Sequence, residues 1–180
     1  TACEGSTTTK FTATSSGSSD TYIWQVYDNT LAKYVDIQAS NTDYSGITTN
    51  TLSITNVKTS MDALKYRIKV FTCGDSVFSN VTTDAILTVK SLPKVTLDPL
   101  PTRLCVGGNY TFKSLGTGTG LTYQWQVAKK TTPTVFSNVS GETSADYTFS
   151  NIPQTADGNI YRVELKGDCP TTLPLYTDTA

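Results

Sequence analysis

Apolar and polar positions alternate with a period of two over much of the chain. Leu52 and Ile54 alternate with polar neighbours, and Val57 follows them. Tyr66, Ile68 and Val70 are interleaved with Arg67, Lys69 and Phe71, and Tyr110 and Phe112 flank Thr111. Ile86, Leu87 and Val89 come after a turn. Successive side chains of a strand point to opposite faces, so this alternation predicts half-buried strands. No long stripe at helical spacing is present, and one short turn is expected near Ser60-Met61-Asp62. Several short strands separated by Ser, Gly, Asn and Asp turns read as an all-β sandwich.

The pattern occurs twice. Tyr22-Ile23-Trp24-Gln25-Val26 matches Tyr123-Gln124-Trp125-Gln126-Val127, and Cys3-Glu4-Gly5 matches Cys105-Val106-Gly107. Thr51 to Val57 matches Asp146 to Ile152. Asp62 with Tyr66-Arg67-Ile68 matches Asp157 with Tyr161-Arg162-Val163. Cys73 matches Cys169, and Thr83-Asp84 matches Thr177-Asp178. Landmarks in one order, with an offset drifting from about 102 to about 94, describe two copies of one module with small loop deletions. The expected organisation is a first copy over 1–90, a second over 94–180, and a short linker over 90–94 whose Pro93 ends the last strand. So short a linker predicts end-to-end stacking with restricted bending.

Charge alters the functional picture. Charged residues make up 16% of the chain, the net charge is -1 and the pI is near 5.3, which leaves no basic stripe for nucleic acid. No histidine is present, so histidine-based triads, general bases and zinc proteases are excluded. The excess of Thr and Ser suits half-exposed strands, and 37% hydrophobic residues with ten Tyr can still build a core. No run of about 20 apolar residues occurs, so no helical membrane insertion is expected. The opening Thr1-Ala2-Cys3 carries no basic or apolar leader, as a mature piece of something larger would.

The order Cys-x-Gly, strand, Tyr-x-Trp-Gln, Leu-x-Ile, Asp-x-x-x-Tyr, strand, Cys-Gly resembles an immunoglobulin-like repeat, over most of both copies. More narrowly, it is similar to the tandem modules of large bacterial surface adhesins, including the long adhesins of gliding bacteria with Cys-Glu-Gly, Trp-Gln and Cys-Gly landmarks. The resemblance implies two immunoglobulin-like β-sandwiches in series. It places Trp24 and Trp125 as the core tryptophans, and Tyr66 and Tyr161, with Asp62 and Asp157 upstream, as corner tyrosines. Two residues past each corner tyrosine, where antibody domains carry a core cysteine, stand Ile68 and Val163; the facing positions hold Ala13 and Ser114. The implied core has no disulfide, and packing around each tryptophan replaces it. Copy two departs from the pattern at Pro133, Pro153 and Pro174.

Four cysteines allow three pairings, and a secreted β-module implies oxidised ones. On the implied topology Cys3 lies at the pole where the corner strand begins and Cys73 at the opposite pole, about 20 Å or more away at ~3.3 Å per residue. A disulfide needs Cα atoms within about 7 Å. The favoured expectation is one bridge across the junction, Cys3 to Cys169, with Cys73 and Cys105 bridging to neighbouring repeats or free. Bridges within each copy, or four free thiols, stay open. Without histidine or a Cys-x-x-Cys pair no metal site is expected. On the same resemblance, copy one lacks the opening strand that Lys94-Val95-Thr96-Leu97 supplies to copy two, and copy two lacks the end of its last strand.

Other candidates have plainer readings. Asp20, Asp28, Asp36, Asp43, Asp62, Asp75 and Asp84 are scattered singly. Asp28-Asn29 and Asn41-Thr42-Asp43 come nearest to a calcium loop, but solvated loops fit better. Gly116-Thr117-Gly118-Thr119-Gly120 lacks the Lys-Ser/Thr of a phosphate loop and reads as a flexible turn, as does Ser15-Ser16-Gly17-Ser18-Ser19. Lys129-Lys130 reads as a solubilising hairpin. Tyr27, Tyr34 and Tyr44 are candidates for a partly exposed aromatic face. Asn80-Val81-Thr82, Asn109-Tyr110-Thr111 and Asn138-Val139-Ser140 fit the N-glycosylation pattern.

The expectation is therefore a non-enzymatic, cofactor-free, monomeric segment of an extracellular, cell-surface protein, acting as a rigid stalk or adhesive module. Its expected partners are neighbouring repeats and surface polysaccharide or protein. A glycan- or protein-binding accessory module of a secreted enzyme, and a receptor ectodomain, are the alternatives.

Overall fold

A computed structural model describes residues 1–14, 20–72, 75–78, 84–171 and 173–180. The chain divides into two compact units, Thr1–Lys90 (unit 1) and Ser91–Ala180 (unit 2). Ser15 to Ser19, Cys73 and the Asn80-Val81-Thr82 sequon lie outside the described residues.

Unit 1 contains β1 (Ala2–Cys3), β2 (Thr9–Thr12), β3 (Thr21–Asp28), β4 (Lys33–Asp36), β5 (Tyr44–Ser45), β6 (Thr51–Ile54), β7 (Lys65–Thr72), β8 (Asp75–Phe78), β9 (Ala85–Ile86) and β10 (Val89–Lys90). One sheet has the order β2-β6-β5; the other runs β4-β3-β7-β8, with β9 also on β7. Both send side chains into one core: Leu52 and Ile54 from β6, Trp24 from β3, Tyr66 and Ile68 from β7. The 3₁₀ turn Thr59–Met61 closes one end and buries Met61. Ala2–Cys3 forms a short strand that pairs in parallel with Val89–Lys90.

Unit 2 contains β11 (Lys94–Leu97), β12 (Tyr110–Phe112), β13 (Leu115–Thr117), β14 (Thr122–Ala128), β15 (Phe136–Asn138), β16 (Tyr147–Phe149), β17 (Ile160–Lys166) and β18 (Leu175–Tyr176). Its larger sheet is β15-β14-β17-β18; β12 pairs with β16, and β11 with β13. Phe112, Trp125, Tyr147, Tyr161, Val163 and Leu165 form its core. The three prolines fall outside strands, where their missing N–H costs no ladder bond: Pro153 precedes the 3₁₀ turn Gln154–Ala156, Pro174 precedes β18, and Pro133 lies between β14 and β15.

Period-two alternation explains which side chains reach the cores. Trp24 is 3% exposed and sits opposite Ile68; Trp125 is fully buried and sits opposite Val163. Each indole N–H donates to a backbone carbonyl, Trp24 to Thr49 at 2.9 Å and Trp125 to Ser144 at 3.0 Å. Burying a large aromatic ring is favourable only when its polar edge is satisfied in this way.

The glycine-rich run is strand in its first part and turn only from Gly118 to Gly120. Gly116 lies inside β13, and a Cβ there would meet the Leu165 side chain. Gly118 has φ +140° and lies against Pro93. The run is glycine-rich because the segment packs closely, not because it is loose.

One matched pair also shifts. Ala85 pairs with Tyr66, and Ala180 exchanges both backbone hydrogen bonds with Tyr161. That register puts Asp84 opposite Thr179 in the repeat, so the match of Thr83-Asp84 to Thr177-Asp178 is one residue out.

Candidate functional site

The cores use one face of each large sheet, and the residues between them point to the other. In unit 1 the register sets Gln25 opposite both Arg67 and Asp36, and Tyr27 opposite Tyr34. Arg67 Nε donates to Gln25 Oε1 at 2.6 Å, and Gln25 Nε2 donates to Asp36 Oδ1 at 2.6 Å. The guanidinium of Arg67 lies 4.0 Å from the Tyr34 ring centre, and Tyr27 meets Tyr34 edge-on at 5.1 Å. The Tyr34 hydroxyl donates to Asp84, whose carboxylate also lies 3.5 Å from Lys65 Nζ.

Unit 2 repeats the ladder with other end groups. Arg162 Nε donates to Gln126 Oε1 at 2.9 Å, and Gln126 Nε2 donates to Asn138 Oδ1 at 3.0 Å. The Arg162 guanidinium is sandwiched between Phe136 at 3.7 Å and Tyr176 at 3.6 Å. Gln25 and Gln126 are both buried, which a primary amide tolerates only with partners on each side. Sequence reasoning missed this feature. The signal was present: Trp-Gln and Tyr-Arg recur in both copies.

Of the three tyrosines expected on one face, two meet. Tyr44 belongs to the other sheet. Its hydroxyl lies 3.1 Å from that of Tyr66, and its ring packs against the core. Burial, and then the hydrogen bond to Asp84, push the Tyr34 phenol up to about 12. Burial raises Tyr44, Tyr66, Tyr147 and Tyr161 as well. All five phenols therefore stay neutral at physiological pH, as donors and stacking surfaces.

The acids upstream of the corner tyrosines have partners of their own. Tyr66 meets Tyr44, while Asp62 accepts the backbone N–H of Val89 at 2.7 Å. Asp157 is paired with Lys130 at 3.1 Å on the surface. Loop side chains serve the backbone: Asp28 accepts from Thr30 and Leu31 N–H, and Asn41 from Asp43 N–H. Asp43 pairs with Lys58 at 2.6 Å. Among the described residues no group of three or more His, Cys, Asp or Glu is placed to hold a metal ion.

Ser114, at the position facing Val163 in the expected register, is fully buried, and its Oγ finds no hydrogen-bond partner among the described residues. Its counterpart Ala13 packs against the unit 1 core. Cys3 and Cys169 are each disulfide-bonded, and Cys169 is 1% exposed. Cys105 is an exposed free thiol. No helix is long and apolar enough to cross a membrane among the described residues.

A domain of unknown function, DUF8696, matches residues 101–176. No curated protein matches the chain in sequence. Among solved structures, an amphioxus IgVJ-C2 molecule is similar over 100% of this chain and 98% of its own, with a TM-score of 0.56 and 18% identity. A Dscam1 isoform 7.44 structure of four N-terminal Ig domains is similar over 93% of this chain, with a TM-score of 0.51 and 15% identity. The chain has an immunoglobulin-like fold. It spans 39% of that Dscam1 chain.

Proposed function

We propose that this chain is a non-catalytic segment of an extracellular, cell-surface adhesive protein, built as two immunoglobulin-like sandwiches in series and working as a stiff stalk or adhesive module. The observation that carries the reading is duplication of the whole build: two units, each with its own tryptophan-centred core and its own glutamine–arginine ladder. Repeats that each fold on their own can be added in series to gain length. The narrower assignment to the bacterial, gliding-motility type rests on the Cys-Glu-Gly, Trp-Gln and Cys-Gly landmarks. The partners in this reading are neighbouring repeats and a surface polysaccharide or protein, without nucleic acid, membrane insertion or cofactor, and the segment itself is monomeric.

In this reading Cys3 pairs with Cys169 and staples one sandwich to the other. Oxidation of both, beside a free Cys105, supports it. Such a bond carries tension past both folded cores. Single-molecule pulling from the termini tests the stalk. Reduced, the chain lengthens toward about 600 Å at roughly 3.5 Å per residue; oxidised, only the residues outside the bridge pay out, about 50 Å. Full extension under oxidising conditions would refute the staple.

The second reading, a glycan- or protein-recognition module, is favoured by Tyr27 and Tyr34 with Arg67 on the outer face of unit 1. Saturable binding on a glycan array that Tyr34→Ala abolishes, with both units folded, would support it over the stalk.

A further inference from the structure

Both outer faces carry an arginine at the same register, but only one of them backs it with acids. In unit 1 the two groups that touch Arg67 each lean on a carboxylate. Gln25, bonded to Arg67 Nε, donates to Asp36. Tyr34, stacked under the guanidinium, donates to Asp84, which also pairs with Lys65.

Unit 2 keeps the arginine and replaces both acids with neutral residues. Asn138 stands opposite Gln126 where Asp36 stands opposite Gln25. Thr179 takes the place of Asp84, and Ile160 that of Lys65. Arg162 is half-buried, and the rings of Phe136 and Tyr176 on its two sides fix its plane. Its Nε is taken by Gln126. Among the described residues nothing pairs with its two terminal nitrogens. Glu164, next on the same face, pairs with Lys166 at 3.2 Å, and Asp178, two residues after Tyr176, forms no ion pair with Arg162. Asn138 is exposed, and its oxygen accepts from Gln126, which leaves its amide hydrogens as donors beside the guanidinium.

We propose that this face of unit 2, centred on Arg162, binds the carboxylate of an acidic polysaccharide. A half-buried cation without a counter-charge gains most from an anion brought by a ligand. The planar fork of a guanidinium matches the two oxygens of a carboxylate, and a fork already clamped between rings loses little freedom on binding. Neutral donors and ring edges around it suit the hydroxyls and C–H surfaces of sugars. A densely acidic peptide would need further cations, and the neighbouring Lys166 is already paired. Acidic sugars separated by neutral ones fit a single guanidinium. The proposal rests on the polysaccharide partner of the proposed function and narrows it, whereas the pulling experiment succeeds or fails without it.

The test titrates a hexasaccharide of alternating glucuronate and N-acetylglucosamine into the 180-residue chain and follows it by NMR. Expected are saturable shifts at Arg162 Nε–H, the Asn138 side-chain amide and Tyr176, with the Gln25 amide of unit 1 unmoved. The same hexasaccharide with its carboxyl groups reduced to alcohols should bind at least about tenfold more weakly, since the charge-assisted pair is lost. Asn138→Asp copies the acid that unit 1 holds at this register and keeps an acceptor for Gln126. It should weaken binding by a similar factor, with the other unit 2 signals in place. The proposal is overturned by no saturable shift, by an equal response to the reduced sugar, by unchanged binding to Asn138→Asp, or by a glutamate hexapeptide that binds as tightly.

Discussion

Opposite Phe11, unit 1 carries Leu52, with Ile54 two residues on; at the same register, opposite Phe112, unit 2 carries Tyr147, followed by Phe149. The first core is largely aliphatic around Trp24. The second is a run of rings, with Phe112 5.3 Å from Tyr161 and Tyr147 5.6 Å from Trp125. What both keep is the tryptophan with its carbonyl partner, the aliphatic residue opposite it, and the outer glutamine–arginine bond. The frame is therefore set by strand register and a few satisfied polar groups. The remaining volume can be filled in more than one way, provided it is filled.

The largest effect should come from the shared element. Trp125→Ala removes a fully buried ring and should cost unit 2 roughly 3–5 kcal/mol, leaving unit 1 folded. The chain has two tryptophans, one in each unit, so Trp24 fluorescence then reports unit 1 alone during denaturant unfolding. Loss of both transitions together would mean the cores are not independent. The next effect probes the difference between units: Leu52→Tyr places unit 2's residue in unit 1's aliphatic core and should destabilise by about 1–3 kcal/mol through overpacking.

Smaller effects sharpen the comparison further. Ser114→Ala removes a buried hydroxyl without a partner among the described residues and should stabilise unit 2 by about 1 kcal/mol, read as a raised midpoint at unchanged m-value. Tyr66→Phe breaks the hydroxyl pair with Tyr44 and should cost unit 1 about 1 kcal/mol, and Tyr161→Phe, which gives up the hydrogen bond with Asn159, should cost unit 2 a similar amount.

The smallest effect at ordinary pH is electrostatic. A raised phenol favours the neutral form in the folded state, so its contribution is complete below about pH 10 and is lost as pH climbs toward the folded value, about 12 for Tyr34. Tyrosinate absorbance should therefore appear in two phases, with the buried phenols ionising only as the chain unfolds. Full ionisation of all ten tyrosines near pH 10 in a folded chain would contradict these environments.

The strands and the tryptophan positions were legible because alternation is a one-dimensional signal. Ile68 and Val163 were found at the tryptophans' sides because cross-strand register follows from two strands alone. Tyr44 was misplaced because period two fixes a face but not which sheet a strand joins. Gly116 was misread as turn because composition does not distinguish a loose glycine from one that a neighbour's side chain requires. The short strand Ala2–Cys3 escaped notice because two residues carry no periodicity, and its partner lies far along the chain. The glutamine–arginine ladder was hidden for a different reason. Each residue alone looks like an exposed polar side chain, and only pairing across strands makes Gln25 and Gln126 buried, satisfied groups.

The proposed stalk rests on packing that closes each sandwich and on a Cys3–Cys169 bond. Proteolytic mapping of the non-reduced chain, after alkylation of free thiols, tests it most directly. The expected result is a Cys3–Cys169 linked peptide with Cys105 alkylated. A peptide linking Cys3 to Cys73, or Cys105 to Cys169, would contradict it.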